Sequence, residues 1–148
     1  KGELVQVGTP HEIYNNPCNT FIARAVGSPA INLLRGVLNN GNLVVGSDDF
    51  ALPHERGTDV AKDRKLVIGV RPEDVHVESG GTVPARVLDV ENHGVEKILT
   101  LDAAGHTMRA TVSARLKVEE EETVRFNWAP EKVMLFDAGS GRSLNHGI

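Results

Sequence analysis

The feature that most constrains the fold of this chain is a series of short apolar segments, each followed by a turn signal. Residues 65–71 (KLVIGVR) form a compact apolar stretch, and in 106–112 and 123–128 apolar and polar residues alternate. That two-residue period is typical of a strand with one buried face. Turn signals such as Gly80-Gly81 separate the segments at roughly ten-residue intervals. The sequence therefore predicts a mainly β domain, either a small β-barrel or a sandwich.

A short, well-capped helix precedes the strands. In VGTPHEIYNNP (7–17), Thr9 can cap a helix, Pro10 fits its first turn and Glu12 completes a capping box. The two asparagines and the proline that follow end the helix after about two turns. We therefore expect a helix over residues 10–15.

A second short helix is predicted over about 19–26, with Asn19 as its N-cap and Gly27 as its C-cap, and Pro29 prevents its continuation. The two helices carry more apolar surface than they can bury against each other, and isolated helices of this length are marginal in water. The chain also begins without methionine. We therefore expect residues 1–29 to be the tail of a larger domain in a longer protein.

The remaining strands follow from turn chemistry. Residues 32–38 and 43–45 are predicted to form a hairpin through the turn NNGN (39–42). A short strand is expected over 50–53, and the polar stretch 54–64 is expected to be a loop. The strands fall into two successive units, about 30–78 and 82–144, which are not copies of each other, and residues 30–148 make up the expected β domain.

Composition excludes several classes of protein. The chain has 16 basic and 20 acidic residues, so its net charge of −4 argues against a nucleic-acid surface. No Gly-Lys pair is present, so the chain carries no phosphate-binding loop of the Walker type and is not expected to hydrolyse ATP by itself. No apolar run is long enough to cross a bilayer. The single cysteine, Cys18, excludes an internal disulfide and suits a reducing compartment.

No catalytic or metal-binding constellation emerges from the residues. The six histidines lack the spacing of zinc ligands, and neighbouring acids such as Glu73 and Asp74 point to opposite faces of a strand. The acidic run 119–122 is interpreted as a solvated turn. The aromatic residues Phe126 and Trp128 are interpreted as core residues in preference to a base-stacking platform.

Several segments, in order, resemble one known family. They are residues 2–14 (GELVQVGTPHEIY), 27–32 (GSPAIN), 68–74 (IGVRPED), 90–96 (VENHGVE) and 135–137 (LFD). Together they are similar to the C-terminal part of the ATP-binding subunits of carbohydrate ABC importers of the maltose/trehalose and glycerol-phosphate type. In that family the first segments end the nucleotide-binding domain and lead into a regulatory domain. His93 departs from the family, where leucine is usual.

The resemblance implies a fold, partners and a location. The fold is an OB-like, TOBE-type β-barrel, preceded by two short helices from the end of a nucleotide-binding domain. ATP and Mg²⁺ would bind in the parent chain, outside this sequence, and no cofactor is expected within it. The implied partners are a second copy of the chain, the ATPase domain and the transmembrane permease subunits. The implied location is cytoplasmic, peripheral on the inner face of the cell membrane.

The site candidates fall into two groups. Arg71, Pro72, Glu73, Gly94 and Glu96 are the candidates for regulation or dimerisation, and Gly27, Ser28, Pro29 and Asn32 are the candidates for the interdomain junction. Arg71 is expected to be extended because proline follows it. Its guanidinium can pair with Glu73 or with a carboxylate of a facing subunit, or the segment simply ends a strand. Gly94 is interpreted as a turn residue with positive φ, or as a merely tolerated glycine.

Three functions follow from these observations. The principal hypothesis is a regulatory and dimerisation domain in the ATP-binding subunit of a sugar importer. The second is a barrel that binds a small oxyanion such as molybdate, as in related TOBE modules. The third is an OB-type nucleic-acid binder.

Overall fold

The computed structural model describes residues 6–27, 29–39, 42–45, 48–51, 65–103, 105–128 and 132–144. In chain order its elements are helices α1 (Pro10–Asn15) and α2 (Thr20–Ala25), and strands β1 (Asn32–Asn39), β2 (Asn42–Val45), β3 (Asp48–Ala51), β4 (Lys65–Val70), β5 (Val75–Val77), β6 (Val83–Asn92), β7 (Glu96–Ala103), β8 (His106–Ser113), β9 (Thr123–Trp128) and β10 (Met134–Asp137). A 3-10 turn, Pro72–Asp74, links β4 to β5, so the expectation that Glu73 and Asp74 lie on a strand is wrong.

Both predicted helices are present, with the predicted N-caps. The Thr9 hydroxyl accepts a hydrogen bond from the Glu12 amide (3.1 Å), and the Glu12 carboxylate accepts one from the Thr9 amide (2.9 Å), which completes the capping box. The Asn19 side chain accepts from the Ile22 amide at 2.8 Å and caps α2. The C-cap of α2 is Val26, in extended conformation, and Gly27 follows it with φ +91°, so the predicted C-cap is one residue late.

The strands form two antiparallel five-stranded sheets. The order in the first is β10-β4-β1-β2-β3, and the order in the second is β5-β9-β6-β7-β8. The last strand therefore joins the first sheet, where Leu135 pairs with Ile68, while the early strand β5 joins the second, where Val75 pairs with Trp128. The sheets therefore do not coincide with the two successive units expected from the sequence. This exchange of strands ties the two sheets into one barrel-like β domain, as the sequence predicted.

β1 and β2 form the predicted hairpin, and both strands extend one residue further towards the connection than expected. Asn39 pairs with Asn42 at its end. The next strand is Asp48–Ala51, two residues earlier than the strand expected over 50–53. Residues 52–64, which include the expected loop, lie outside the described part of the chain.

The facing surfaces of the two sheets enclose the main core. Leu34, Leu66, Ile68 and Val70 contribute from the first sheet, and many residues of the second sheet pack against them. Met108, Ala110, Phe126 and Trp128 are buried, which confirms the alternation predicted for β8 and β9, and the rings of Phe126 and Trp128 meet edge to face at 5.9 Å. Their burial confirms the interpretation of these aromatics as core residues.

The outer face of the first sheet carries α2. Ala23 of this helix is fully buried in a second cluster with Ile31, Val67 and Phe136. Because one face of β4 meets the main core and the other meets this cluster, five of its six residues are buried. Burial on both faces explains why the strand is apolar throughout instead of alternating.

Candidate functional site

Arg71 joins the helices to the β domain. It follows β4 in extended conformation, as expected before proline, and its residue is only 1% exposed. Its Nη1 donates hydrogen bonds to the carbonyls of Ala23 (3.0 Å) and Val26 (2.7 Å), and its Nη2 donates one to the carbonyl of Tyr14 (3.0 Å). These oxygens lie at the carboxyl ends of α1 and α2, where a cation is stabilised by the unpaired carbonyls. One buried guanidinium therefore holds both helix ends.

The aromatic ring of Tyr14 covers Arg71. The guanidinium carbon lies 4.1 Å from the ring centroid, in the geometry of a cation–π contact. A Cβ at Gly27 would lie 3.0 Å from the Tyr14 ring and 3.2 Å from Arg71 Nη1, so a side chain there would crowd this stack. Gly27 is therefore required both for its positive φ and for this close approach.

The Tyr14 hydroxyl donates a hydrogen bond to the Glu73 carboxylate. The sequence allowed Arg71 to pair with Glu73, but the hydrogen bonds of Arg71 go to main-chain carbonyls, and Glu73 accepts from Tyr14 instead. Burial raises the pKa of Tyr14 to about 12. The hydrogen bond to Glu73 and the negative charges of Glu73 and Asp74 add to this rise, whereas the positive charge of Arg71 opposes it. Burial lowers the pKa of the Arg71 guanidinium, against the attraction of Tyr14, Glu73 and Asp74.

The Tyr14 phenol gives the first prediction. Because its pKa is raised from 10.0 to about 12, the folded state favours the neutral phenol. This contribution to stability is complete below the unfolded-state pKa of 10.0 and is lost as the pH rises through about 12. The chain contains one tyrosine, so phenolate absorbance reports Tyr14 alone. We expect Glu73→Gln to shift the titration towards 10.0, whereas Glu78→Gln, a control acid on another surface, leaves it unchanged. Titration of the unaltered protein near 10.0 would contradict this account.

A groove of about 850 Å³ lies between the helices and the second sheet. This junction groove is lined by Tyr14, Gly27, Pro29, Glu73, Glu91, His93, Glu96, Ile98, Arg109 and Thr111. Three of its side chains are carboxylates and one is an arginine, so the lining carries an acidic excess. His93 Nε2 lies 3.1 Å from the Glu91 carboxylate at its exposed rim. The Thr111 hydroxyl is buried without a hydrogen-bond partner among the described residues.

The predicted candidates divide between this groove and its surroundings. Gly27, Pro29, Glu73 and Glu96 line the groove, while Arg71 and Pro72 are buried. Gly94 lies in the turn before β7 with φ +85°, so its predicted positive φ is confirmed. Ser28 lies outside the described residues.

Asn32 joins the two sheets. Its side chain donates to the carbonyl of Arg109 at 2.8 Å and accepts from the amide of Arg109 at 2.7 Å, although Asn32 lies on β1 and Arg109 on β8. Asn32 itself is buried, and both bonds are partly buried. The junction candidate Asn32 thus holds β8 in place, and β8 carries the groove residue Arg109.

Sequence reasoning missed Tyr14, Arg109 and Thr111 as parts of this site. The sequence places Tyr14 in the first helix and in the segment that resembles the family, and nothing in it shows that Tyr14 stacks on a residue 57 positions later. His93 was noted only as a departure from the family pattern. Among the described residues, no cluster of three or more metal-ligating side chains exists and no helix is long and apolar enough to cross a membrane.

Family models identify the domain. Residues 27–75 match the MalK OB fold domain, and residues 68–136 match the TOBE domain. Together the two matches run from residue 27 to residue 136. The chain therefore belongs to the family of MalK-type OB fold and TOBE domains, and the resemblance drawn from the sequence is confirmed.

Individual relatives are import ATP-binding proteins. The sn-glycerol-3-phosphate import ATP-binding protein UgpC of Jannaschia sp. (strain CCS1) is 34% identical over an alignment that covers 97% of this chain. The xylose/arabinose import ATP-binding protein XacJ of Haloferax volcanii is 31% identical, with 98% of this chain aligned. This chain covers only 40% and 42% of those two proteins, of which it matches the C-terminal part.

A solved structure shares the fold. The cytoplasmic molybdate-binding protein ModG, in a crystal form with molybdate bound, superposes with a TM-score of 0.55 over 70% of this chain and 94% of its own. The sequence identity is 16%, so this similarity concerns the fold alone.

Proposed function

We propose that this chain is the C-terminal regulatory and dimerisation part of the ATP-binding subunit of an ABC importer for sugars or related solutes. The observation that carries the proposal is its match, along nearly the whole chain, to import ATP-binding proteins of which it covers about two fifths. In this proposal residues 1–29 end the nucleotide-binding domain and residues 30–148 form the regulatory domain.

In this proposal the longer parent protein provides the nucleotide-binding domain. ATP and Mg²⁺ bind in that domain, which precedes this chain, and the chain itself is not an enzyme. The subunit works with transmembrane permease subunits on the cytoplasmic face of the membrane. Two barrels associate, and an effector that prefers one arrangement of the pair shifts its population. Support for this mechanical role comes from Arg71, which couples the helix ends to the barrel.

Native mass tests the assignment to an importer subunit. In cells of the source organism, an antibody against this chain should detect a protein much heavier than 16.0 kDa, with room for a domain of ~200 residues. Deleting the gene should abolish import of one sugar or sugar-like solute. A native species of 16.0 kDa would contradict the assignment.

Self-association tests the dimerisation role. Val95 lies between the candidates Gly94 and Glu96 and is 83% exposed, so its side chain is available for a contact between barrels. We expect a dimer in sedimentation equilibrium, weakened about tenfold by Val95→Glu, which corresponds to ~1.4 kcal/mol. The matched control is Val7→Glu, at a residue that is 93% exposed on the helical side. A monomer at every concentration would contradict dimerisation without affecting the assignment to an importer.

Oxyanion binding is the second candidate, because ModG shares the fold. The acidic excess of the junction groove opposes an anion there. A smaller groove of about 390 Å³ includes Arg24 and Arg35 and is the better place for one. Calorimetric titration with molybdate, repeated on Arg35→Ala, separates the two functions. Binding that is lost in the variant would favour the oxyanion barrel over the importer domain.

A further inference from the structure

We infer that α1 is a releasable strap, held on the barrel by Arg71 and by the contact of Tyr14 with Glu73, and able to leave while α2 and the barrel stay packed. The strap is defined as residues 6–16, from the chain before α1 to its C-cap. It forms one wall of the junction groove through Tyr14. Its release opens that wall.

The strap has little apolar attachment of its own. None of the residues of α1 is buried, and a helix of six residues is too short to be stable alone in water. Among the described residues, two hydrogen bonds join α1 to the β domain. They are the bond from Arg71 Nη2 to the Tyr14 carbonyl and the bond from the Tyr14 hydroxyl to Glu73.

The second helix is attached by different means. Its Ala23 is fully buried against the first sheet. Two main-chain hydrogen bonds, both 2.9 Å long, hold the start of α2. The Thr20 amide donates to the Gly141 carbonyl, and the Ser143 amide donates to the carbonyl of Cys18, two residues before the helix. None of these contacts involves α1. The strap meets this attachment at one point, where the Cys18 amide donates to the Gln6 side chain at 2.9 Å, and the loss of the strap leaves the other contacts of α2 in place.

Arg71 keeps its partners on α2 when the strap is released. Its Nη1 bonds to Ala23 and Val26 do not depend on Tyr14, so the charge remains paired with two carbonyls. The group that loses its partner is Nη2, which water can reach once the Tyr14 ring has moved away. A ligand or neighbouring domain that binds the released form better than the docked form would shift the equilibrium towards release. All of these contacts lie within this chain, so release can be measured whatever protein the chain belongs to.

Hydrogen exchange on the full chain tests the strap. The amides of Ile13 and Asn16 report α1, because they bond to the carbonyls of Thr9 and Glu12 within the strap, and the amide of Ala23 reports α2. In Tyr14→Ala we expect the α1 amides to exchange about tenfold faster or more, with the Ala23 amide within about twofold of the unaltered protein. The matched control is Phe21→Ala, which truncates an aromatic residue that is 77% exposed on α2 and should change neither helix.

Two results would overturn the inference. One is unchanged exchange of the α1 amides in Tyr14→Ala; the other is an equal acceleration at Ala23, which would show that both helices leave together. Tyr14→Phe provides a milder variant, because it removes only the bond to Glu73 and keeps the ring over Arg71. Tyr14→Phe should accelerate exchange of the α1 amides by less than Tyr14→Ala does. If Tyr14→Ala failed to fold, unchanged α1 exchange in Tyr14→Phe, or an equal acceleration at Ala23, would count against the strap.

Discussion

Replacement of Gly81 by alanine is expected to destabilise the domain by roughly 2–4 kcal/mol, one of the largest effects of any single methyl group in this chain. A Cβ at this position would lie 2.5 Å from the Phe126 amide nitrogen, 2.7 Å from the Arg125 carbonyl carbon and 2.8 Å from the Phe126 carbonyl carbon. These are main-chain atoms of β9 that no side-chain rotation can move aside. Because Phe126 is fully buried in the main core, β9 cannot shift without disturbing the packing of both sheets.

The adjacent glycine is a matched control. A Cβ at Gly80 meets nothing within 4 Å, and neither glycine has the positive φ that would strain alanine. We therefore expect Gly80→Ala to leave the stability unchanged or to raise it by up to ~1 kcal/mol, since alanine restricts the unfolded chain. Urea denaturation of the two variants and the parent, followed by the fluorescence of the single tryptophan, measures the difference. Equal midpoints for Gly81→Ala and Gly80→Ala would show that residue 81 does not approach β9 as described.

Features that depend on neighbours in sequence could be predicted. The capping box of Thr9 and Glu12, the Asn19 cap and the positive φ of Gly94 are all set by local chemistry, and all are confirmed. The alternation in β8 and β9 also follows from a local period. The ends of strands do not follow from local chemistry in the same way, and the predicted third strand begins two residues late.

Pairing between distant strands could not be predicted in the same way. The placement of β10 beside β4, and of β5 beside β9, depends on packing between segments that are separated by dozens of residues. The apolar pattern of each strand is the same whichever sheet it joins. The division into two successive units therefore followed the chain and missed the exchange of strands.

The candidate site shows the same limit. Arg71 and Glu73 were singled out, but the partners of Arg71 are main-chain carbonyls at the ends of two helices, which every residue type possesses. No side-chain pattern can reveal such acceptors. The sequence therefore identified the cation and proposed a carboxylate partner, whereas the structure shows that Tyr14 takes the carboxylate of Glu73.

Asn32 shows how a junction residue acts through the main chain of a distant strand. Its amide group donates to and accepts from the same residue, Arg109, as a paired strand residue would. The contact links β1 of the first sheet with β8, which is the edge strand of the second. Arg109 also lines the junction groove, so the position of that wall depends on Asn32.

We expect Asn32→Ala to lower the free energy of unfolding by roughly 1–3 kcal/mol, because it leaves the amide and the carbonyl of Arg109 without their partners in a partly buried place. The matched control is Asn15→Ala, which removes an exposed side-chain bond to the His11 carbonyl within α1 and should cost less than about 0.5 kcal/mol. Urea denaturation measures both, and hydrogen exchange at the Arg109 amide reports the contact directly. The contrary result is that Asn32→Ala unfolds at the same urea concentration as Asn15→Ala, with its Arg109 amide still protected from hydrogen exchange. That result would show that the apolar core alone joins the two sheets.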